Sequence, residues 1–460
     1  MFDDIKNLSG LGQVNDLKSA LTFITSGNAG ALGRPIALTS FVLNVFDWPQ
    51  DVFAFKRVNI FIHILNALLL TKACLQISKI LDKQISQAIW FSVIVSCIWM
   101  VHPFLASTSL MAIQRMTSFS ATFLLLGIIT YLHGRIQFPK KEYQGLIWMS
   151  LGIGFGTILS SLTKENGALL PLYITILEFT LLTHFQDISK TKKFRNWALI
   201  FLGLPLTSLL IYFVIHWPGF ITTYETRAFN LQERLLTEII ILWDYLTNIL
   251  IPSRAGTGPF HDDFSISKGL FNPITTLFNL TTWLLVIFLA IFFRKKTPIM
   301  LFSLCWFLGG HILESTFIPL ELYFEHRNYL PSIGPIFGLC FYLWNNTSPL
   351  KTLARGFLII YATLLLFLLQ ETTTTWSQPI VAARLWAHDH PFSVRAQQYL
   401  SMQYSKQRNH TKALETIKIA HNNIPESTGL ALQAMQLECA FGKLSKKTIH
   451  NITRSLDKGN

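Results

Sequence analysis

Charge is scarce in this sequence. Asp, Glu, Lys and Arg make up 14% of its 460 residues, against about a quarter in an ordinary soluble domain. That shortage argues against a cytosolic enzyme and excludes a disordered chain or a charge-laced coiled coil. Glycine, at 25 residues, is far too rare for collagen. The five cysteines (Cys74, Cys97, Cys305, Cys340, Cys439) lie far apart, four of them in apolar runs. They form neither a disulfide framework nor a metal pattern, and read as small buried hydrophobes. No P-loop, nucleotide-binding glycine fingerprint, HExxH or nucleophile elbow occurs, which counts against ATP-driven transport and proteolysis. What the chain has instead is 51% hydrophobic residues, with 37 Phe and 12 Trp. The net charge of +13 then implies basic cytoplasmic loops and anionic headgroups or substrates, not nucleic acid.

Ten apolar runs approach or exceed the length needed to cross a bilayer. They are residues 58–77, 88–107, 117–133, 146–162, 167–183, 197–217, 274–293, 298–318, 330–344 and 353–369. The expected fold is all-α, a polytopic membrane protein of about ten transmembrane helices. Residues 235–251 are interrupted by Glu238, Asp244 and Asn248, and read as a surface or re-entrant helix. With that segment kept out of the count, the positive-inside rule puts five basic groups in the cytoplasm. These are Lys79 and Lys83; Arg135, Lys140 and Lys141; Lys190, Lys192, Lys193 and Arg195; Arg294, Lys295 and Lys296; Lys351 and Arg355. The unusual polar residues then share the opposite face. The expected division is an outer-face loop at 1–57, a membrane domain at 58–371 and an extracytoplasmic helical tail at 372–460. In the tail Pro391 and Pro425 stand 34 residues apart, the period of a tetratricopeptide repeat.

Polar residues within or beside apolar runs need partners or a role. Asn59, His63 and Asn66 share one helix face and read as interhelical hydrogen bonding. Asp3 and Asp4 are adjacent carboxylates suited to a general base or cation ligand. His102-Pro103, Arg115, Lys164-Glu165-Asn166 and Glu325-His326-Arg327-Asn328-Tyr329 all fall on the outer face. Arg115, Lys164 and Arg327 converging on one cavity would bind phosphate or pyrophosphate. His261-Asp262-Asp263 has the composition of a metal or acid-base site, with a solvated turn as the alternative.

These motifs, taken in order, resemble the multi-spanning GT-C glycosyltransferases. The likeness is to the transmembrane and tetratricopeptide-repeat O-mannosyltransferases and to bacterial type IV pilin glycosyltransferases. Phe2-Asp3-Asp4-Ile5 and Gly33-Arg34-Pro35 resemble that family's opening block, and residues 41–44 with the Asn59/His63/Asn66 stripe its next. His102-Pro103, Arg115, Thr163-Lys164-Glu165-Asn166-Gly167 and residues 325–332 follow in the same order. The resemblance implies an inverting hexosyl- or pentosyltransferase that uses a polyprenyl-phosphate-linked sugar and a hydroxyl of an exported protein such as a pilin. It implies Asp3 and Asp4 as catalytic, and Arg327, Lys164 and Arg115 as donor phosphate-binding. Arg34, His102, Glu165, His326 and Asn328 support them. The implied place is the inner membrane, with the site and tail periplasmic. Participation of a divalent cation is left open. Family members carry a membrane helix before the Asp pair, so the natural gene is expected to encode one upstream of Met1. A transporter or flippase for a lipid-linked sugar, or a membrane scaffold with a partner-binding tail, are the alternatives from other classes.

Overall fold

The computed structural model describes Asp4 and residues 7–253, 258–345 and 349–440. In chain order its main helices are α1 (Leu17–Thr25), α2 (Pro35–Val42), α3 (Val52–Ile80), α4 (Ile85–Met100), α5 (Arg115–Gln137) and α6 (Glu142–Ser161). Then come α7 (Leu170–Ile176), α8 (Leu204–Thr223), α9 (Leu231–Leu250), α10 (Ile274–Phe292), α11 (Pro298–Gly310), α12 (Ile333–Trp344) and α13 (Lys351–Ser377). Four shorter helices end the described chain: α14 (Pro379–Asp389), α15 (Val394–Lys406), α16 (His410–Asn423) and α17 (Thr428–Ala440). Among the described residues there is no strand, only one isolated bridge between Gly269 and Asn272.

The protein is all-α and membrane-embedded; among the described residues six helices are long and apolar enough to cross a bilayer, or seven if one bent pair counts as a span. Not all of the ten expected runs form helices of that length and hydropathy, for local reasons. The run at 88–107 bends by 56° between α4 and residues 103–110, because Pro103 has no N–H to continue the ladder. Helix α11 stops at Gly310, and α12 is only 12 residues long. Helix α6 spends four of its positions on Gly145, Gly152, Gly154 and Gly156, which dilute its hydropathy. Three of these glycines let it press against α5. A Cβ at Gly152 would sit 2.6 Å from the Gly127 carbonyl oxygen, and one at Gly134 2.5 Å from that of Gly145. Small residues allow such close approach between membrane helices.

The chain divides into two compact units. The first comprises Met1–Pro252, Ser267–Leu320 and Glu325–Leu369. Its N-terminal segment packs onto the membrane helices. Leu8, Leu11, Phe23, Leu38 and Phe41 bury themselves with Phe55 of α3 and Ala112, Ile113 and Met116, since apolar area gains by joining a core. Arg135, expected in a cytoplasmic loop, is instead fully buried and paired with Glu178 at 3.0 Å. Helix α9 starts on a capping box, in which Asn230 and Glu233 each accept the other's backbone N–H. One face of it is buried, carrying Arg234, Thr237, Glu238, Ile241 and Tyr245, and it is not among the spanning candidates. After α11 the backbone turns irregular over residues 311–320, and Arg234 accounts for its carbonyls. Nε donates to Thr316 O (2.7 Å), Nη1 to Leu320 O (2.5 Å) and Nη2 to Glu314 O (2.8 Å). Irregular backbone within a membrane protein persists where such donors satisfy it.

The second unit comprises Ser253–Ile266, Glu321–Phe324 and Gln370–Asn460. Its helices α14–α17 enclose a small core that includes Ile417, Ala420, Leu430 and Ala434. Helices α15 and α17 begin at Val394 and Thr428, 34 residues apart (428 − 394). The triplet at 261–263 serves as a fastening. Asp262 accepts the Ser393 hydroxyl and the Arg395 N–H at the start of α15, where helix N–H groups lack partners. Asp263 pairs with His390 at 2.9 Å. Cys74 and Cys340 are buried as expected, but Cys97 and Cys439 are exposed.

Candidate functional site

The site is built where three breaks in the membrane helices of the first unit meet. The first break, between α6 and α7, is tied to the N-terminal segment. Arg34 grips Glu165 with Nη2 2.8 Å from Oε2 and Nε 3.0 Å from Oε1, a forked geometry specific to guanidinium and carboxylate. Gly30 makes that grip feasible. Its φ is +70°, and a Cβ there would lie 1.4 Å from Glu165 Oε1, so a side chain is excluded on both counts. One residue before Glu165, Lys164 turns inward. Its Nζ lies 3.1 Å from Glu314 Oε1 and donates to Thr117 Oγ1 at 3.1 Å.

Glu314 comes from the second break, the turn after α11. Burial opposes its ionisation, yet Lys164, Arg327 and His326 hold its carboxyl well below the usual carboxylate range. The third break is the short 3-10 turn Glu325–Asn328. Arg327 there is buried, with Nη1 3.8 Å from Glu238 Oε1, while Arg234 Nη2 reaches the same oxygen at 3.1 Å. Burial, only partly offset by these two arginines, pushes the Glu238 carboxyl up to about 7. The His326 imidazole is driven well below its ordinary value by burial and by Lys164 beside it. His311 is likewise pushed down to about 4 by burial. Lys164, Asn166, His326 and Arg327 line a cavity of about 20 Å³ with Thr117 and Tyr173, room for about one water molecule. Arg34, Lys164, Arg234 and Arg327 thus gather with the carboxylates Glu165, Glu238 and Glu314, and Glu325 is buried in the same turn as Arg327.

Tyr329 locks this turn to α3. His63 Nε2 faces the Met100 carbonyl at 2.9 Å, which can only accept, so Nε2 carries the proton. Nδ1 therefore accepts the Tyr329 hydroxyl at 2.8 Å, and Asn66 Nδ2 donates to the same hydroxyl oxygen at 3.1 Å. The Asn59/His63/Asn66 stripe is interhelical hydrogen bonding, as its spacing suggests.

Other expected site residues lie elsewhere. Arg115 does not reach the cavity of Lys164 and Arg327. Its guanidinium stacks on Phe41 and Phe55 and donates to Asn59 Oδ1 (2.9 Å), Ser40 O (2.9 Å) and Phe55 O (3.3 Å). His102 caps the break after α4, with Nδ1 accepting from Phe104 N–H and Nε2 donating to Ile249 O. Asp4 is buried and accepts the Ile113 N–H at 2.8 Å. Asp3 lies outside the described residues. Asn328 Nδ2 donates to Glu325 O at 3.3 Å within its own turn. Among the described residues, no group of three or more His, Cys, Asp or Glu is placed to hold a metal ion.

Sequence reasoning missed Arg234, Glu238, His311 and Glu314 as site residues. Two signals were available: Arg234 and Glu238 are four apart on one helix face, and His311 and Glu314 three apart in a run otherwise apolar enough to span. No family model, curated protein or solved structure matches this chain. Fold and site together define a membrane-embedded helical protein with a buried cluster of paired charges.

Proposed function

We propose that this protein is a membrane glycosyltransferase that moves a sugar from a polyprenyl-phosphate donor to a hydroxyl of an exported protein. The observation that carries the reading is the meeting of Lys164 and Arg327, far apart in sequence, with His326 and Asn166 at one cavity. Arginine binds phosphate oxygens in pairs and lysine adds a point charge. The acceptor oxygen attacks the anomeric carbon from the face opposite the lipid phosphate, inverting its configuration. The bond to the phosphate oxygen breaks, its electron pair leaves with the polyprenyl phosphate, and Arg327 and Lys164 stabilise that charge. A carboxylate of the Asp3–Asp4 pair takes the acceptor's proton, help worth about 10² to 10⁴ in rate. Arg34 and Glu165 position the Lys164 turn, and Arg115 shapes the neighbouring wall. In this reading the protein lies in the inner membrane, with site and tail on the periplasmic side, and the helical tail docks the acceptor, such as a pilin.

The test uses the protein in nanodiscs with a labelled polyprenyl-phosphate hexose and a Ser/Thr peptide. It is paired with glycopeptide mass spectrometry of exported proteins from cells with and without the gene. Label on the peptide, and glycopeptides lost with the gene, support the reading. Movement of the lipid-linked sugar across the bilayer without transfer would point to a transporter instead.

A further inference from the structure

Two carboxylates stand where a phosphate would have to go. Glu314 Oε1 lies 3.1 Å from Lys164 Nζ, and Glu238 Oε1 lies 3.8 Å from Arg327 Nη1. Both side chains are nine-tenths or more buried, and beyond their ion pairs only Ser315 beside Glu238 and Asn166 beside Glu314 offer side-chain hydrogen bonds, too poorly aligned to satisfy Glu314 Oε2 or either Glu238 oxygen. A buried acceptor left so costs about 1–3 kcal/mol in general. The carboxylates are thus held by ion pairing more than by hydrogen bonds. The cavity between Lys164 and Arg327, about 20 Å³, admits about one water molecule and no phosphate group. Arg234, by contrast, is anchored by three backbone carbonyls and stays in place if Glu238 moves.

We propose that Glu314 and Glu238 are internal counter-anions that occupy Lys164 and Arg327 in the closed state, and that a phosphate group binds by displacing them, opening the cavity as it enters. This rests on the reading of Lys164 and Arg327 as the phosphate-binding pair, and adds how that pair is kept until an anion arrives. Buried cations without any anion would be strongly destabilising. A carboxylate on a neighbouring turn supplies one, and leaves when a better-charged ligand with more acceptor oxygens competes. The exchange favours a phosphate monoester, with about −1.5 to −2 charges, over a neutral sugar or a carboxylate. No bond to phosphorus forms or breaks in it.

The experiment measures equilibrium binding of a polyprenyl monophosphate, without sugar, to the protein in nanodiscs by native mass spectrometry. Glu314→Gln removes the counter-anion at nearly constant shape and is expected to bind about tenfold tighter than the parent, the scale of one charge-assisted hydrogen bond. Glu238→Gln is expected to gain a smaller factor, and Lys164→Ala to lose binding. The same ordering with inorganic phosphate in detergent supports the exchange and assigns the anion to solution and not to a lipid headgroup. Equal or weaker binding by Glu314→Gln, with Lys164→Ala still defective, overturns the counter-anion role and leaves the phosphate site standing. Parent-like binding by both Lys164→Ala and Arg327→Ala removes the phosphate site itself, and the exchange with it. Should Glu314→Gln fail to fold, Glu314→Asp keeps the charge but withdraws it from Lys164. A gain of a few-fold is expected there, and no gain overturns the proposal.

Discussion

Two buried charge clusters in the membrane unit are built from the same residue types and differ in how fully they are satisfied. Around Arg135 every group is engaged. Nε reaches both Glu178 oxygens at 3.1 and 3.0 Å, the terminal nitrogens donate to Gln186, and Tyr131 donates its hydroxyl to Glu178 at 2.7 Å. Around Arg327 the Glu238 carboxylate stands 3.8 Å away, the Glu238 oxygens and Glu314 Oε2 lack well-aligned hydrogen-bond donors, and a cavity opens between the cations. A saturated buried pair is a staple, whose partners have nothing left for a ligand. An under-satisfied one retains a force toward a further charged group.

That contrast breaks if the two arginines behave alike. The largest effect is expected at the loose cluster, in activity. Arg327→Ala should lower sugar transfer at least about a hundredfold with little change in thermal unfolding, and Arg327→Lys should restore little, since a point charge cannot make the paired contacts. At the saturated cluster the loss should be in stability. Arg135→Ala leaves Glu178 buried without its cation, at a cost of about 3–5 kcal/mol, read as a lowered midpoint in detergent unfolding. Retained stability in Arg135→Ala, or unfolding in Arg327→Ala, would erase the distinction.

A smaller effect tests a third, neutral network. Tyr329→Phe removes the hydroxyl that joins His63 to Asn66, and should cost about 1–3 kcal/mol through the acceptor left bare. The smallest effect is in pH dependence. Burial, aided by the Glu314 charge, raises the Glu238 carboxyl from 4.5 to about 7 against the opposing pull of Arg234, Arg327 and Ser315. A raised carboxyl contributes stability that is full below pH 4.5 and is lost as pH rises through about 7. Below that point Glu238 is neutral and releases Arg327, so phosphate affinity of the parent, relative to Glu238→Gln, should rise a few-fold from pH 8 to 6. A constant ratio between the two proteins would remove Glu238 from the exchange.

Much of the chain was legible without its structure. Apolar runs marked most helix positions, and Lys164 and Arg327 stood out because charges beside membrane runs require partners. Equally conspicuous residues misled. Arg115 stands out as clearly as Lys164, yet its guanidinium is consumed by Asn59 and two backbone carbonyls. Glu238 looked like a mere interruption of an apolar run because its partners, Arg327 and Ser315, lie more than seventy positions away in the chain. Helix α11 ended early for a similar reason. The turn after it is stabilised by Arg234, which no local pattern around Gly310 announces.

Composition and hydrophobic length by themselves determined that the protein is helical and built for a bilayer, because backbone groups in lipid must be satisfied within each segment. They also determined which residues were costly enough to need explaining. Only the tertiary structure decided which of those costs were settled by a structural partner and which were left open. That outcome depends on which carboxylate packing brings to which cation across tens to more than a hundred residues, and a short-range periodicity carries no information about such a meeting.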